Sequence, residues 1–147
     1  MVTTESREQE RCMGTVYADI TLTNMFLNKS VQVRALVDTG TTHVWVPAAI
    51  ATELGFDATE VSETPIILAD GRRIFCPRIA PVKVGFGDRW CMGDVGVLGD
   101  ECLLGVVPLE LMGLIVDPVQ QRIIPNPRHP DGPVVSCRGG YPDIRIL

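Results

Sequence analysis

An apolar run that enters a core and then stops on a carboxylate restricts this chain more than any other feature. In the segment from 31 to 38, Val31, Val33, Ala35 and Val37 fall on one face of a strand and Gln32 and Arg34 on the other, until Leu36 makes both faces apolar. The run ends on Asp38-Thr39-Gly40 and resumes as Val44-Trp45-Val46-Pro47. A carboxylate at the buried end of a strand is costly unless it is hydrogen-bonded, paired or put to chemical use. Taken alone, Asp38 also fits a turn-capping aspartate after a strand.

The rest of the chain divides into short apolar stretches separated by turn residues. Eleven prolines and fourteen glycines in 147 residues leave little sustained helical periodicity, which favours an all-β fold in one domain. A strand is expected over 14–26 with a turn at Asn28-Lys29-Ser30, a short strand over 43–47, and a helix over 47–56 that Gly55 ends. A hairpin follows, its apolar arms Ile66-Ile67-Leu68 and Ile74-Phe75 flanking the turn Ala69-Asp70-Gly71. Strands over 80–87 and 89–98 come next, broken at Gly87-Asp88. Beyond them lie a strand at Leu103-Leu104, a short helix from Pro108 to Met112, a stop at Gly113 and a strand ending at Asp117. Residues 1–13 read as a flexible N-terminal segment. From Pro125 the sequence holds five of the eleven prolines, so 125–147 reads as an extended arm.

Charge and cysteine usage narrow the function. A formal net charge of −5 leaves no basic stripe to neutralise phosphates, so no nucleic-acid partner is expected. No apolar run approaches the roughly 18 to 20 residues of a membrane span, and the polar start lacks an apolar leader, so the reading is a cytoplasmic protein without a membrane partner. The five cysteines are odd in number and widely spaced without a C-x-x-C pair, which fits reduced thiols and neither a disulfide framework nor a metal site.

The segment Asp-Thr-Gly-Thr-Thr-His-Val-Trp-Val-Pro (38–47) resembles the active-site segment of aspartic proteases, whose pepsin-like members read D-T-G-S-S-N-L-W-V-P. Thr41 and Thr42 stand where two serines usually do, so the hydroxyls are retained. Downstream, Leu103-Leu104-Gly105 before a short helix resembles the family's apolar-apolar-glycine segment, which crosses beneath the active-site loop. The hairpin around Ala69-Asp70-Gly71 sits in order where the family has its flap over substrate, without the flap tyrosine of pepsin-like enzymes.

Peptide hydrolysis in this family uses two carboxylates that share one proton around a water, because two like charges so close cannot both persist. The chain holds no second Asp-Thr-Gly or Asp-Ser-Gly. The resemblance is therefore to the single-lobe, retropepsin-like branch. It implies an all-β closed barrel over 14–124 with a flap hairpin and one or two short helices, acting as a homodimer on a peptide or protein substrate without metal or cofactor. By the same resemblance Asp38 is the catalytic carboxylate, Thr39, Gly40 and Thr41 support its loop, and Ala69, Asp70 and Gly71 form the flap. Leu103, Leu104 and Gly105 would lie under the site, the apolar hairpin arms would offer subsites, and the 125–147 arm would join the dimer interface. The alternative is a non-catalytic dimeric peptide-binding module that keeps the fold.

Overall fold

The computed structural model describes residues 14–57 and 62–134. Nine strands and two short helices appear among them, in the order β1 (Tyr17–Asn24), β2 (Lys29–Val37), β3 (Val44–Val46), α1 (Ala48–Glu53), β4 (Ser62–Ile67), β5 (Arg73–Phe86), β6 (Arg89–Val97), β7 (Leu103–Leu104), α2 (Val106–Leu111), β8 (Leu114–Asp117) and β9 (Arg122–Pro125). The architecture is mostly β, with few helical residues, as the turn-rich composition implied. Cysteines 12 and 137, the N-terminal segment and most of the C-terminal arm lie outside the described residues.

The alternation read from the sequence is what buries the sheet. Ala18, Ile20, Leu22 and Asn24 of β1 point inward, and Val33 and Ala35 of β2 meet them. Seven strands pair in the order β1-β2-β7-β3-β6-β5-β4, and β5 also pairs β1 through Thr21 to Asn24, so the sheet rolls round its own core. Ile20, Leu22, Ile79, Val84, Val95 and Leu104 fill that core, each worth roughly 1.5–3 kcal/mol of burial. Buried Asn24 is employed at both ends of its amide: its nitrogen donates to Leu54 O at 2.9 Å and its carbonyl accepts the N–H groups of Phe26 and Leu27.

Three local expectations need correction. The flap arm and the strand expected over 80–87 are one strand, β5, paired first with β4 and then with β1. Its two prolines are tolerated for a topological reason. Pro77 faces only the edge strand β4, since pairing with β6 begins at Arg78, and Pro81 falls in the register shift between Ile79 and Val82, beyond a cis Ala80–Pro81 bond. The helix expected from Pro108 starts two residues earlier, because Gly105 serves as its N-cap and Pro108 sits within the first turn, where no intrahelical N–H is needed. Pro47 is likewise the extended N-cap of α1 rather than its first helical residue. Gly55 does end that helix, at φ +84°.

Strand β9, which ends just before the turn pair Asn126-Pro127, lies outside the elements read from the sequence. It pairs β8 antiparallel from Leu114↔Pro125 to Asp117↔Arg122. Pro125, the first residue of the expected arm, is thus the last of this strand. The chain then stays fastened: Asn126 N–H donates to Gly113 O at 2.8 Å. Buried Arg89 donates to the carbonyls of Met112, Gly113, His129 and Pro130 at 2.9–3.3 Å. One guanidinium fork so ties the end of α2 to the segment beyond β9.

Candidate active site

Asp38 is the residue that leaves the sheet. Strand β2 is held on one side by Val37 N–H donating to Val16 O at 2.8 Å, and on the other by Leu36 N–H to Cys102 O at 2.9 Å. Asp38 N–H then donates to Leu104 O at 3.0 Å, so its backbone is fixed by β7 before the loop begins. The loop folds back on the side chain. Gly40 N–H donates to Asp38 Oδ1 at 3.0 Å and the Thr41 hydroxyl to Oδ2 at 2.8 Å, while Thr41 N–H closes the turn on Asp38 O. A half-buried carboxylate is thereby oriented through both oxygens by residues two and three positions on. Thr39 is exposed at the loop's tip.

Strand β7 lies between β2 and β3, parallel to the first and antiparallel to the second. The apolar-apolar-glycine segment therefore runs directly under the loop that joins those two strands. Gly105 is required there by space, not by its backbone angles: a Cβ would stand 2.6 Å from Thr41 O and Thr42 C and against His43 O. Because the loop comes so close, the first N–H groups of α2 find partners without a capping side chain. Val106 N–H donates to Thr41 O at 2.8 Å and Val107 N–H to Thr42 O at 3.1 Å. Gly96 has the same role beside β3, where a Cβ would enter the Trp45 ring.

The hairpin around Ala69-Asp70-Gly71 forms as its turn chemistry dictates. Leu68 N–H donates to Arg72 O, Gly71 N–H to Leu68 O, and Gly71 adopts φ +85°. Asp70 accepts Arg72 N–H at 3.0 Å and pairs with its guanidinium at 2.6 Å. Its carboxyl lies below the usual range, first through the Arg72 amide and then through the Arg72 side chain. The arms are not equivalent. Register places Ile66 opposite Ile74 on one face and Ile67 opposite Arg73 on the other, with Phe75 opposite Pro65. Ile66 and Ile74 are partly buried, whereas Ile67 and Phe75 are 67% and 70% exposed. The five apolar residues read together as subsites thus divide between two faces. At the root of the hairpin Arg78 forms an ion pair with Asp94 of β6.

The geometry brings Asp38, Gly40, Thr41 and Leu104 into one hydrogen-bonded unit, with Gly105 packed against it. Asp38's carboxylate takes its hydrogen bonds from Gly40 and Thr41, and no hydrogen bond among the described residues joins the 69–71 turn to that loop. A cavity of about 510 Å³ lined by Arg89, Trp90, Pro125, Pro130 and Pro133, among others, shares no residue with it. Among the described residues no group of three or more His, Cys, Asp or Glu side chains forms a metal-type cluster. Nor is any helix among them long and apolar enough to cross a membrane. Cys76, Cys91 and Cys102 are buried free thiols. Burial pushes all three up, Cys91 to about 11. The contacts of Arg89, and the Tyr17–Glu101 bond described below, had no signal in the sequence.

Comparison with known proteins agrees with this geometry. A family model described as aspartyl protease matches residues 23–106, from the end of β1 to the start of α2. The chain is similar to a retropepsin-like aspartic protease from Rickettsia conorii, with a TM-score of 0.53 and 28% identity over 71% of this chain and 77% of that one. It also shares its fold with the retroviral protease-like domain of Ddi1 from Leishmania major, with a TM-score of 0.51 and 16% identity over 77% of this chain and 96% of that one. No curated protein matches. With more than half its length covered by one model, the chain belongs to the aspartyl protease family.

Proposed function

We propose that the protein is an aspartic endopeptidase that hydrolyses peptide bonds with a water held between two Asp38 carboxylates, one from each subunit of a homodimer. The observation that carries this reading is the carboxylate at the end of β2, with Oδ1 on Gly40 N–H and Oδ2 on the Thr41 hydroxyl. Such a carboxylate is pre-aimed, which is what proton transfer to and from a bound water needs. One carboxylate takes a proton from the water as its oxygen attacks the scissile carbonyl carbon. The other, protonated, gives its proton to the carbonyl oxygen, and the tetrahedral intermediate then collapses with proton delivery to the leaving amine. The pair shares one proton through this cycle.

One chain supplies one Asp-Thr-Gly, so two-fold symmetry provides the second. Exposed Thr39 is placed at the tip from which its hydroxyl would reach the partner loop. The Ala69-Asp70-Gly71 hairpin would cover an extended peptide, with Ile66 and Ile74 toward the substrate side. The 125–147 arm would contribute to the interface. Buried, unpaired Cys76, Cys91 and Cys102 suit a reducing, cytoplasmic setting.

The test is cleavage of a peptide library by purified protein, with Asp38→Asn as the control. The substitution should abolish cleavage and leave the fold intact; residual cleavage at the wild-type rate would end the proposal. Equal mixing of wild type and Asp38→Asn should leave about a quarter of the activity expected of all-wild-type dimers, since random pairing leaves one dimer in four intact. Strict proportionality to the wild-type chain at every dilution would refute the shared site. The tyrosine-free hairpin and the Thr41-Thr42 pair favour a second reading, a peptide-binding module without turnover. Saturable peptide binding with no products would select it.

A further inference from the structure

On the outer face of the sheet, three residues from different parts of the chain meet beside the candidate site. Tyr17 of β1 sits opposite Leu36 of β2. The Arg34 guanidinium lies over its ring, 4.6 Å from the centroid, and its hydroxyl donates to Glu101 Oε1 at 3.2 Å. Glu101 is the residue immediately before Cys102, and Cys102 O and Leu104 O receive the N–H groups of Leu36 and Asp38. The loop that carries Glu101 connects β6 to β7. Leu98 N–H pins its start to Val46 O, and its residues 98–101 are exposed. Between that point and Cys102, the Glu101 side chain ties the loop to the sheet through Tyr17.

We propose that Tyr17 and Glu101 are positioning residues for Asp38. The Tyr17 ring, held under Arg34, sets the height of its hydroxyl above the β1–β2 pair. The hydroxyl fixes Glu101, and Glu101 fixes the entry into Cys102–Leu104, the segment whose carbonyls hold Leu36 and Asp38. Strand β7 has only two residues, so its placement rests on what precedes and follows it. Gly105 and α2 secure one end through Thr41 and Thr42; Tyr17 secures the other. The Arg34 contact adds the attraction of a cation for a ring face, while Glu101 accepts from the hydroxyl of the same phenol. The functional half of this inference rests on Asp38 being the catalytic carboxylate, whereas the positional half stands on the hydrogen bonds alone.

The test separates the two halves. Tyr17→Phe removes only the hydroxyl, Glu101→Ala removes the acceptor, and Glu101→Gln keeps an acceptor oxygen. Amide hydrogen exchange in the wild type and the three variants reads the Leu36 and Asp38 N–H groups directly, with Ile20 and Val84 in the body of the sheet as controls. Tyr17→Phe and Glu101→Ala should each speed exchange at Leu36 and Asp38 by about three- to ten-fold, the weight of one hydrogen bond. Ile20 and Val84 should be unchanged, Glu101→Gln should remain near wild type, and the double variant should be no worse than either single. On a cleaved peptide, kcat should fall by a similar factor while KM changes less than two-fold. Unchanged exchange at Leu36 and Asp38, or equal acceleration at Ile20 and Val84, would overturn the positioning role. If the wild type cleaves nothing, the endopeptidase reading fails while exchange still decides the positioning role.

Discussion

Replacing Gly105 by alanine should loosen the candidate site from below, and the structure sets the size of the effect. The backbone at Gly105 has φ −85° and ψ −179°, which alanine adopts freely, so the cost is steric. The new Cβ would stand 2.6 Å from Thr41 O and Thr42 C, whereas ordinary contact begins at 3.4 Å. The loop and β7 must separate by about 0.8 Å or more, since His43 O lies closer still. The Val106–Thr41 and Val107–Thr42 bonds, now 2.8 and 3.1 Å, would then pass out of hydrogen-bonding range. Two lost bonds at about 1 kcal/mol each, with about 1–3 kcal/mol of overpacking, give a destabilisation of about 3–5 kcal/mol. That is a large part of the total for a domain of this size. Since the same loop carries Gly40 and Thr41, cleavage should fall by about a hundred-fold or more. Gly93 provides the control: it lies in β6 at a non-positive φ, and a Cβ there meets nothing within 4 Å. Urea denaturation followed by tryptophan fluorescence, with cleavage measured on the same samples, compares the two variants. Equal stability and activity for Gly105→Ala and Gly93→Ala would refute the reasoning.

Thr41→Val removes the hydroxyl on Asp38 Oδ2 and keeps the shape, so kcat should drop at least ten-fold with little change in melting temperature, and Thr41→Ser should restore most of it; equal rates for both would show that the bond does not serve catalysis. Arg89→Met deletes four bonds to backbone carbonyls and leaves Met112 O and Gly113 O without their guanidinium partner, which should cost about 3–5 kcal/mol in chemical denaturation, with Arg89→Lys intermediate. Burial pushes the Cys91 thiol to about 11, so the thiolate is scarce at pH 7.5 and its fraction grows only as pH approaches that value; iodoacetamide should label Cys91 slowly in the native protein and fast in urea, as read by peptide mass spectrometry.

What the sequence made legible was local. Asp38, Gly40 and Thr41 bond across two and three positions, so the motif and its geometry are nearly the same object. The turn at Ala69-Asp70-Gly71 is set by one glycine at positive φ and one aspartate that bonds two residues on, which is again local chemistry. That turn also fixes the pairing of Ile67 with Arg73, from which the division of Ile66 and Ile74 from Ile67 and Phe75 follows by a period of two. The signal was present, and grouping the arms by hydrophobicity alone concealed it. The continuity of β5 was hidden for a different reason. Whether Pro77 and Pro81 break a strand depends on which neighbour their missing N–H would have faced, and β4, β6 and β1 lie elsewhere in the chain.

Arg89 and Tyr17 show where local reading ends. A buried arginine is expected to announce itself by a carboxylate partner, yet Arg89 is satisfied by four backbone carbonyls, which every residue possesses and no sequence pattern marks. Tyr17 and Glu101 are 84 positions apart and meet only because β7 is inserted between β2 and β3. The same insertion gives the Asp38 loop its floor. Gly105 holds that floor close by having no side chain, and Tyr17 by having a long one that reaches across the sheet. A site supported from two sides by elements remote in sequence holds its carboxylate in one orientation, and a partner loop related by two-fold symmetry would present the same orientation from the opposite side. The two hydrogen bonds on Asp38 are therefore what the proposed shared dyad would require of each half, since neither carboxylate could correct the position of the other without losing its own Gly40 and Thr41 bonds.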